Sequence, residues 1–437
     1  MNPTVLKQLY KNKQLRGRLL VVLAVLVAYS FISHIPVPVP DTVRLQSFLL
    51  KLFQSNSLLG FANLFSGGTM STFSIILMGL GPYINASIII QLLTQVVPKF
   101  EALSKEGEAG RNKLNQYTRW LTMPLAMVQA IAMIIFVQQT SIRSAGVDLI
   151  GNPSLGQWAY MVIAITAGSM FLMWLGEVIT NRGIGNGISI LILAGIISRL
   201  PATILQQITL AQGDSSKIVG LVALALVSLV LIFFLVMINE GQRNIPVSYA
   251  RQQASGGYGG VDTHLPIRII SAGVIPIIFA LAFLSVPGFI GQLFSNAKTT
   301  WVAGFARTLS STFSPDTIAY TVVYFVLVVA FTYFYTSIIF KPQEIAENLQ
   351  KQGGFVPGIR PGKETAGYLK RIINRLTLPG SLILGLIAVL PFILQQFFKS
   401  SSALSIGGTG LLIVVAVVIE TMKEIESKAL MATYEKY

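Results

Sequence analysis

The apolar residues of this chain are concentrated in long uninterrupted runs. Ten of these runs reach spanning length, since about 20 apolar residues cross a bilayer at a helical rise of ~1.5 Å each. The pattern predicts an all-α integral membrane protein with ten transmembrane helices. The runs lie at 19–35, 73–97, 120–138, 158–178, 184–200, 218–238, 269–290, 317–340, 376–398 and 404–422. The first could instead be a signal peptide, but prolines rather than a small-residue cleavage site follow it.

The second run is interrupted and partly polar. Gly79, Gly81 and Pro82 break its first half, and a proline inside a helix bends the axis. The sequence therefore predicts a kinked helix. Three polar residues after the break share one helical face: Ser87, Gln91 and Gln95. We expect this face to meet protein or a water-filled cavity. The alternative is that the amides only join this helix to its neighbours in an ordinary bundle.

Composition supports a membrane protein and gives little support to an enzyme. The chain of 437 residues is 53% hydrophobic and 11% charged, whereas soluble domains have about 25% charged residues. It has no cysteine and two histidines, His34 and His264, which are too few for a histidine-based zinc site. We expect no metal and no cofactor. The carboxylates nearest the spans, Glu177 and Glu420, are expected at helix ends, so no ionisable pair is predicted in mid-membrane.

Basic residues are distributed unequally between the two sides of the predicted membrane. Of the 32 Lys and Arg residues, 24 fall in segments on one side. Loops rich in Lys and Arg remain in the cytoplasm. The bias therefore predicts that this side, with both termini, is cytoplasmic. It also accounts for most of the net charge of +15 without a nucleic-acid partner.

Three connecting segments carry further predictions. Residues 58–70 on the outer side are apolar but too short to cross, which favours a re-entrant or interfacial half-helix ended by Gly67–Gly68. The mixed-charge segment 98–119 is predicted to be a solvated loop. The glycine-rich stretch 181–187 lacks the preceding strand of a phosphate-binding loop, so it predicts a tight turn or close helix approach.

Two cytoplasmic projections are too patterned to be simple connectors. Residues 239–268 alternate apolar and polar around a glycine-rich tip, which predicts a β-hairpin. Residues 340–375 end in an amphipathic helix whose apolar positions include Leu369 and Ile373. We interpret both projections as docking surfaces. The alternative is a basic surface that only maintains topology.

Seven sequence motifs resemble those of the SecY family, the protein-conducting channel of the bacterial plasma membrane, and occur in that family's order. They are FSGG (65–68), GPYINASIIIQLL (81–93), MWLGE (173–177), RGIGNGISI (182–190), THLPIR with AGVIP (263–276), FVPGIRPGK (355–363) and GGTGLLI (407–413). The resemblance extends from about residue 16 to residue 430. It implies two five-helix halves of inverted topology, 1–205 and 206–437, around an hourglass pore.

The resemblance also implies roles for particular residues. The pore would narrow at an aliphatic ring of Leu80, Ile84, Ile188, Ile192, Ile278 and Ile413. A plug at about 60–70 would include Phe61, Asn63, Leu64, Phe65, Ser66, Gly67 and Gly68. Spans two and three would meet spans seven and eight in a lateral gate that includes Asn85, Ser87, Gln91, Pro276 and Ile278.

The implied function is passage of unfolded secretory polypeptides across the membrane, with sideways release of apolar segments. Implied partners are SecE and SecG-type small membrane subunits, the SecA motor ATPase, the ribosome, signal peptides, nascent chains and lipids. Docking would use Arg243, Arg251 and Arg360, while the tip 254–260 is neutral where relatives often carry arginines. The rival interpretations are a small-solute secondary transporter with broken helices and an intramembrane enzyme.

Overall fold

The structure is a computed structural model that describes residues 12–55, 59–60, 63, 66–146, 148–151, 153–211, 215–249, 262–270, 273–295, 299–398 and 403–434. Its helices and strands follow one another as α1 (Lys13–Ser33), α2 (Thr42–Ser55), α3 (Gly81–Val96), α4 (Pro98–Lys105), α5 (Glu108–Ala145), α6 (Leu155–Arg182), α7 (Gly187–Ala211), α8 (Ser215–Glu240), β1 (Gln242–Tyr249), β2 (Asp262–Arg268), α9 (Ile275–Phe294), α10 (Thr300–Thr312), α11 (Ile318–Ile339), α12 (Pro342–Lys351), β3 (Gly354–Phe355), α13 (Lys363–Phe398) and α14 (Ala403–Tyr434).

Each of the ten predicted spans falls on a helix: α1, α3, α5, α6, α7, α8, α9, α11, α13 or α14. In the described part of the chain, 6 helices are long and apolar enough to cross a membrane, and there are 7 when the α3–α4 pair, bent by 98°, is taken as one span. α7, α8 and α14 contain 25, 26 and 32 residues, which corresponds to about 37 Å or more each. The chain is therefore a multi-pass, all-α membrane protein.

The second span differs from its predicted form. Residues 66–80 form consecutive turns, and α3 begins only at Gly81. Pro82 lies in the first turn of α3, where its missing N–H removes no helical hydrogen bond. The predicted kink within a helix is thus wrong, because these residues start the helix instead. The sharp bend lies at the opposite end, at Val97, where α4 turns away by 98°.

The segment 98–119 is helical, so the predicted solvated loop is also wrong. α4 has Glu101 in its first turn and Lys105 in its last, which suits the helix dipole. The two side chains form an ion pair of 2.6 Å at i,i+4 spacing. α5 starts at Glu108 and has 38 residues, about 57 Å of helix. It therefore extends well beyond a hydrocarbon core of about 30 Å.

The glycine-rich stretch between α6 and α7 forms a tight turn, as predicted. A side chain at Gly187 would overlap the main-chain carbonyl of Gly176 on the preceding helix. The N–H of Gly187 donates to Thr180 Oγ1 at 2.9 Å. Glycine at this position therefore lets α7 start directly against α6.

The two projections that are predicted to be cytoplasmic form one folded unit. β1 pairs antiparallel with β2, as the hairpin prediction requires, and β3 pairs with the end of β1. The apolar side of this sheet packs against the first turns of α13, which confirms the predicted amphipathic helix. The buried members of this cluster are Ile245, Ile267, Val356, Leu369, Ile372 and Ile373. The tip 254–260 lies outside the described residues. We call residues 242–249, 262–268 and 340–375 the cytoplasmic unit, after the side on which the distribution of Lys and Arg predicts them to lie.

Leu369 is fully buried at the centre of this cluster. Leu369→Ala should weaken the unit by about 2–5 kcal/mol, because truncation of a buried leucine leaves a cavity. Local opening should then become more frequent. Hydrogen exchange of the β1 and β2 amides should accelerate more than about tenfold. The exposed neighbour Lys370→Ala is the control, and equal exchange in both variants would contradict the assignment.

Candidate functional site

The predicted ring residues lie in one continuous apolar cluster drawn from both ends of the chain. Ile84 lies on α3 and Ile192 on α7, whereas Ile278 lies on α9 and Ile413 on α14. These four side chains and Leu80 are at most 6% exposed, and Ile188 packs partly buried against the same cluster. A neck of branched aliphatic side chains can close a pathway by excluding water.

The turns at residues 66–80, which we call the turn segment, are buried beside this cluster. Their main chain bonds to the end of α1 and to the residues after it. Val37 N–H donates to the Phe73 carbonyl at 2.9 Å, and Ile75 N–H donates to the Ile35 carbonyl at 3.0 Å. Gln46 of α2 donates to the Thr72 carbonyl at 3.0 Å. Non-helical backbone at membrane depth needs such partners.

Four of the predicted plug residues lie at the start of the turn segment or just before it. Asn63 is helical, and its Oδ1 accepts a hydrogen bond from the Ser71 N–H at 3.0 Å. Ser66, Gly67 and Gly68 are buried, and both glycines have positive φ. The remaining predicted plug residues, Phe61, Leu64 and Phe65, lie outside the described residues.

The turn segment also contacts α7, which the sequence did not predict. Gly67 meets Gly195 so closely that a Cβ at Gly195 would lie 2.6 Å from the Gly67 Cα. The Arg199 guanidinium donates a hydrogen bond to the Gly68 carbonyl. On the other side, a Cβ at Gly168 of α6 would overlap the Ile75 carbonyl. Glycines on α6 and α7 therefore leave the space that the turn segment occupies.

Helices α3 and α5 meet α9 and α11 along a boundary that we call the seam. At one end of the seam, Phe136 of α5 and Phe289 of α9 lie with ring centroids 6.2 Å apart. At the other end, the Tyr335 hydroxyl of α11 donates to the side-chain carbonyl of Gln91 on α3. Phe279 of α9 contacts the Tyr335 ring edge-on at 5.2 Å. Aromatic and polar contacts thus link the two sides.

The predicted gate residues are distributed along this seam. Gln91 Nε2 donates to Ser87 Oγ at 2.9 Å. Gln91 therefore binds a second member of the polar face as well as Tyr335 of α11. Pro276 and Ile278 are buried at the start of α9, and Asn85 is partly buried. Gln95 is exposed close to the bend at Val97, so the expected sheltering of the polar face fails for this residue, which lies near the end of the helix.

The two carboxylates near the spans have different surroundings. Glu177 of α6 pairs with Arg119 of α5 at 2.6 Å. Glu420 lies inside α14 rather than at its end, because the helix continues for 14 residues to Tyr434. The expectation for Glu420 was therefore wrong. Its Oε2 is buried and finds no hydrogen-bond partner among the described residues.

The predicted docking residues lie on the cytoplasmic unit. Arg243 on β1 and Arg360 after β3 are both exposed. The main-chain carbonyl of Arg360 accepts a hydrogen bond of 2.9 Å from Thr365 Oγ1, which fixes its loop to α13. Arg251 lies outside the described residues. Among the residues that the structure describes, no group of three or more His, Asp or Glu side chains could hold a metal ion.

Sequence reasoning missed Tyr335 and Arg199. A usable signal existed for Tyr335, because hydroxyl-bearing residues at spacings of four, eight and three positions share one helical face of α11 and mark its buried side: Tyr320, Tyr324, Thr332 and Tyr335. Arg199 gave no comparable signal. Its partner is a main-chain carbonyl more than a hundred residues away in sequence, and main-chain groups have no sequence signature.

Comparison with solved structures first defines the class of protein. A SecY channel whose plug domain stabilises the closed state matches with a TM-score of 0.67 at 19% identity, covering 95% of this chain and 93% of that chain. Sec61 from a canine ribosome–channel complex matches with a TM-score of 0.63 at 19% identity and the same coverage. The fold is therefore that of the translocation channels.

Sequence comparison then defines the family. The SecY family model matches residues 74–422. The protein translocase subunit SecY of Streptomyces galbus is 40% identical over 445 residues, which is 99% of this chain and 99% of that protein. The chain belongs to the SecY family.

The Tyr335–Gln91 hydrogen bond should hold its end of the seam closed. Tyr335→Phe removes only the hydroxyl, so a partly buried hydrogen bond that contributes about 1 kcal/mol is lost. Since the chain has no cysteine, spin labels at Val96→Cys and Ile339→Cys, both exposed, can report the distance between α3 and α11. We expect a broader and longer distance distribution. Tyr333→Phe, which alters an exposed ring on the same helix, is the control and should change nothing.

Proposed function

We infer that the chain is the pore-forming subunit of a protein translocase, which passes unfolded polypeptides across the membrane and releases apolar segments sideways into it. Identity of 40% over 99% of a SecY translocase subunit carries this inference. The aliphatic cluster supports it, because helices from both ends of the chain contribute to one neck. The two contributing regions would be the halves 1–205 and 206–437.

The neck would act as the seal of the pore. Leu80, Ile84, Ile188, Ile192, Ile278 and Ile413 would form a ring around the translocating chain. Branched aliphatic side chains bind no ion and no polar segment tightly, so a polypeptide can slide past them. When no polypeptide is present, the same side chains exclude water. The start of the turn segment, residues 66–70, together with residues just before it, would be the plug that covers the neck.

Sideways release would occur at the seam and would depend on the passing chain. Apolar residues gain about 0.3–0.6 kcal/mol each at the centre of a bilayer, and a charged residue costs about 2.5–3.5 kcal/mol. About ten additional apolar residues therefore offset one or two charges. The polar contacts of Gln91 with Tyr335 and Ser87 would close the seam until an apolar segment replaces them.

The proposed partners follow from the relatives and from the charge pattern. A structural neighbour, Sec61, forms a complex with the ribosome, and the exposed Arg243 and Arg360 would provide the cytoplasmic docking surface here. Other proposed partners are the SecA motor, SecE and SecG-type subunits, signal peptides, nascent chains and lipids. The bacterial SecY relatives support a location in the bacterial plasma membrane, and the excess of Lys and Arg on one side supports both termini in the cytoplasm.

The rival interpretations receive less support. A small-solute carrier predicts a midplane binding site formed by broken helices, whereas the predicted ring residues lie in an aliphatic cluster. Family membership also favours a channel subunit over an intramembrane enzyme.

Reconstitution tests the proposed function. Proteoliposomes that contain this chain with SecE, supplied with SecA, ATP and an unfolded secretory precursor, should protect the precursor from added protease. Omission of ATP is the control. Saturable uptake of a small solute by the chain alone, without protection of precursor, would instead support the carrier.

The ring predicts a specific change in ion leak. Ile84→Ser and Ile278→Ser each place a hydroxyl in the neck, which lets water enter and ions follow. The resting conductance of planar bilayers should rise for each variant, and more for the double variant. Ile163→Ser changes an exposed side chain on α6 and should leave conductance unchanged. Unchanged conductance in the double variant would remove both residues from the neck.

A further inference from the structure

The turn segment fits against α7 with no space for side chains at the contact. Gly67 and Gly195 approach until a Cβ on either residue would lie within 2.8 Å of the other residue's Cα. Contacts of real Cβ atoms are longer than this, so either added methyl group would force the two backbones apart. The Tyr29 hydroxyl of α1 lies beside the same pair. This seat fixes the start of the turn segment.

Arg199 adds a charged contact one helical turn further along α7. Its guanidinium lies across Gly68 and donates to the Gly68 carbonyl, and a side chain at Gly68 would overlap the guanidinium. Gly68 has a φ of 79°, which glycine adopts without strain. A hydrogen bond from an ionised donor is about twice as strong as one between neutral groups. Arg199 is partly buried, so bulk water competes weakly for its donors.

We propose that Arg199 is a latch that holds the start of the turn segment, residues 66–70, in its closed position. The proposal rests on the proposed function, because it assigns these residues to the plug. Displacement of the segment breaks the bond to the Gly68 carbonyl and separates Gly67 from Gly195. Both polar groups are then hydrated in the outer part of the pore. The latch therefore sets the fraction of channels that are unplugged before a polypeptide arrives.

Arg199 is a positioning residue in this scheme, since it acts on the plug and not on the passing chain. A purely structural arginine would change the amount of folded protein but not the resting leak of the folded fraction. A latch changes the leak and the mobility of the turn segment together. The conservative variant Arg199→Lys keeps the charge but loses the planar fork of donors, so its effect should be intermediate.

The experiment measures resting conductance and plug mobility in the same variants. A spin label at Met70→Cys, a partly buried position in the turn segment, reports mobility in a chain without other cysteines. Arg199→Gln should raise resting conductance about tenfold, the factor that loss of one charged hydrogen bond gives, and should mobilise the label. Gly195→Ala should do the same by steric displacement. Precursor translocation should persist in both variants.

The control is Arg143→Gln, which removes an exposed arginine near the outer end of α5 and should change neither readout. Wild-type conductance and label mobility in Arg199→Gln, with a leak in Ile84→Ser, would overturn the latch and leave the pore intact. If Arg199→Gln does not fold, Arg199→Lys and Gly195→Ala decide, and wild-type behaviour in both would overturn the proposal. Failure of translocation by the unmodified chain would instead contradict the proposed function.

Discussion

Polar main-chain groups at membrane depth must find hydrogen-bond partners inside the protein, because hydrocarbon offers none. This constraint governs the turn segment, the stretch of 66–80 that runs through the core without forming a helix. Its carbonyls and N–H groups bond to Ile35, Val37 and Gln46, and through Arg199 to α7. The segment is therefore held by specific partners, and it can be displaced only where water can replace them.

The contacts across the seam differ in kind from the hydrogen bonds within the helices that border it. Each helix satisfies its own backbone, so α3 and α11 can separate without breaking any main-chain hydrogen bond. The described contact between them is made by side chains, the hydroxyl–amide hydrogen bond of Tyr335 with Gln91. Such a contact contributes about 0.5–1.5 kcal/mol. The boundary can therefore open without loss of secondary structure.

The sequence predicted those parts of the fold that depend on which residues face lipid or water. Runs of apolar residues identify membrane helices because lipid surrounds them, and alternation identified the hairpin of β1 and β2. Where the same residues permit two structures, prediction failed: Gly81 and Pro82 can kink a helix or begin one, and the charges of 98–119 suit a loop or a helix. The spacing of hydroxyl-bearing residues could have marked the buried face of α11 that carries Tyr335. The partners of Tyr335 and Arg199 are distant in sequence, so single-sequence patterns could not identify these contacts.

The cytoplasmic unit and the ninth membrane helix share one continuous backbone. α13 runs unbroken from Lys363 to Phe398, and its first turns carry the apolar cluster that holds the β-sheet. A force applied to that sheet is therefore transmitted into the bilayer by a continuous helix rather than by a flexible loop. Pro379 and Pro391 each remove one main-chain hydrogen bond from that helix. Bending of the helix should therefore occur at these two prolines, within the hydrophobic layer.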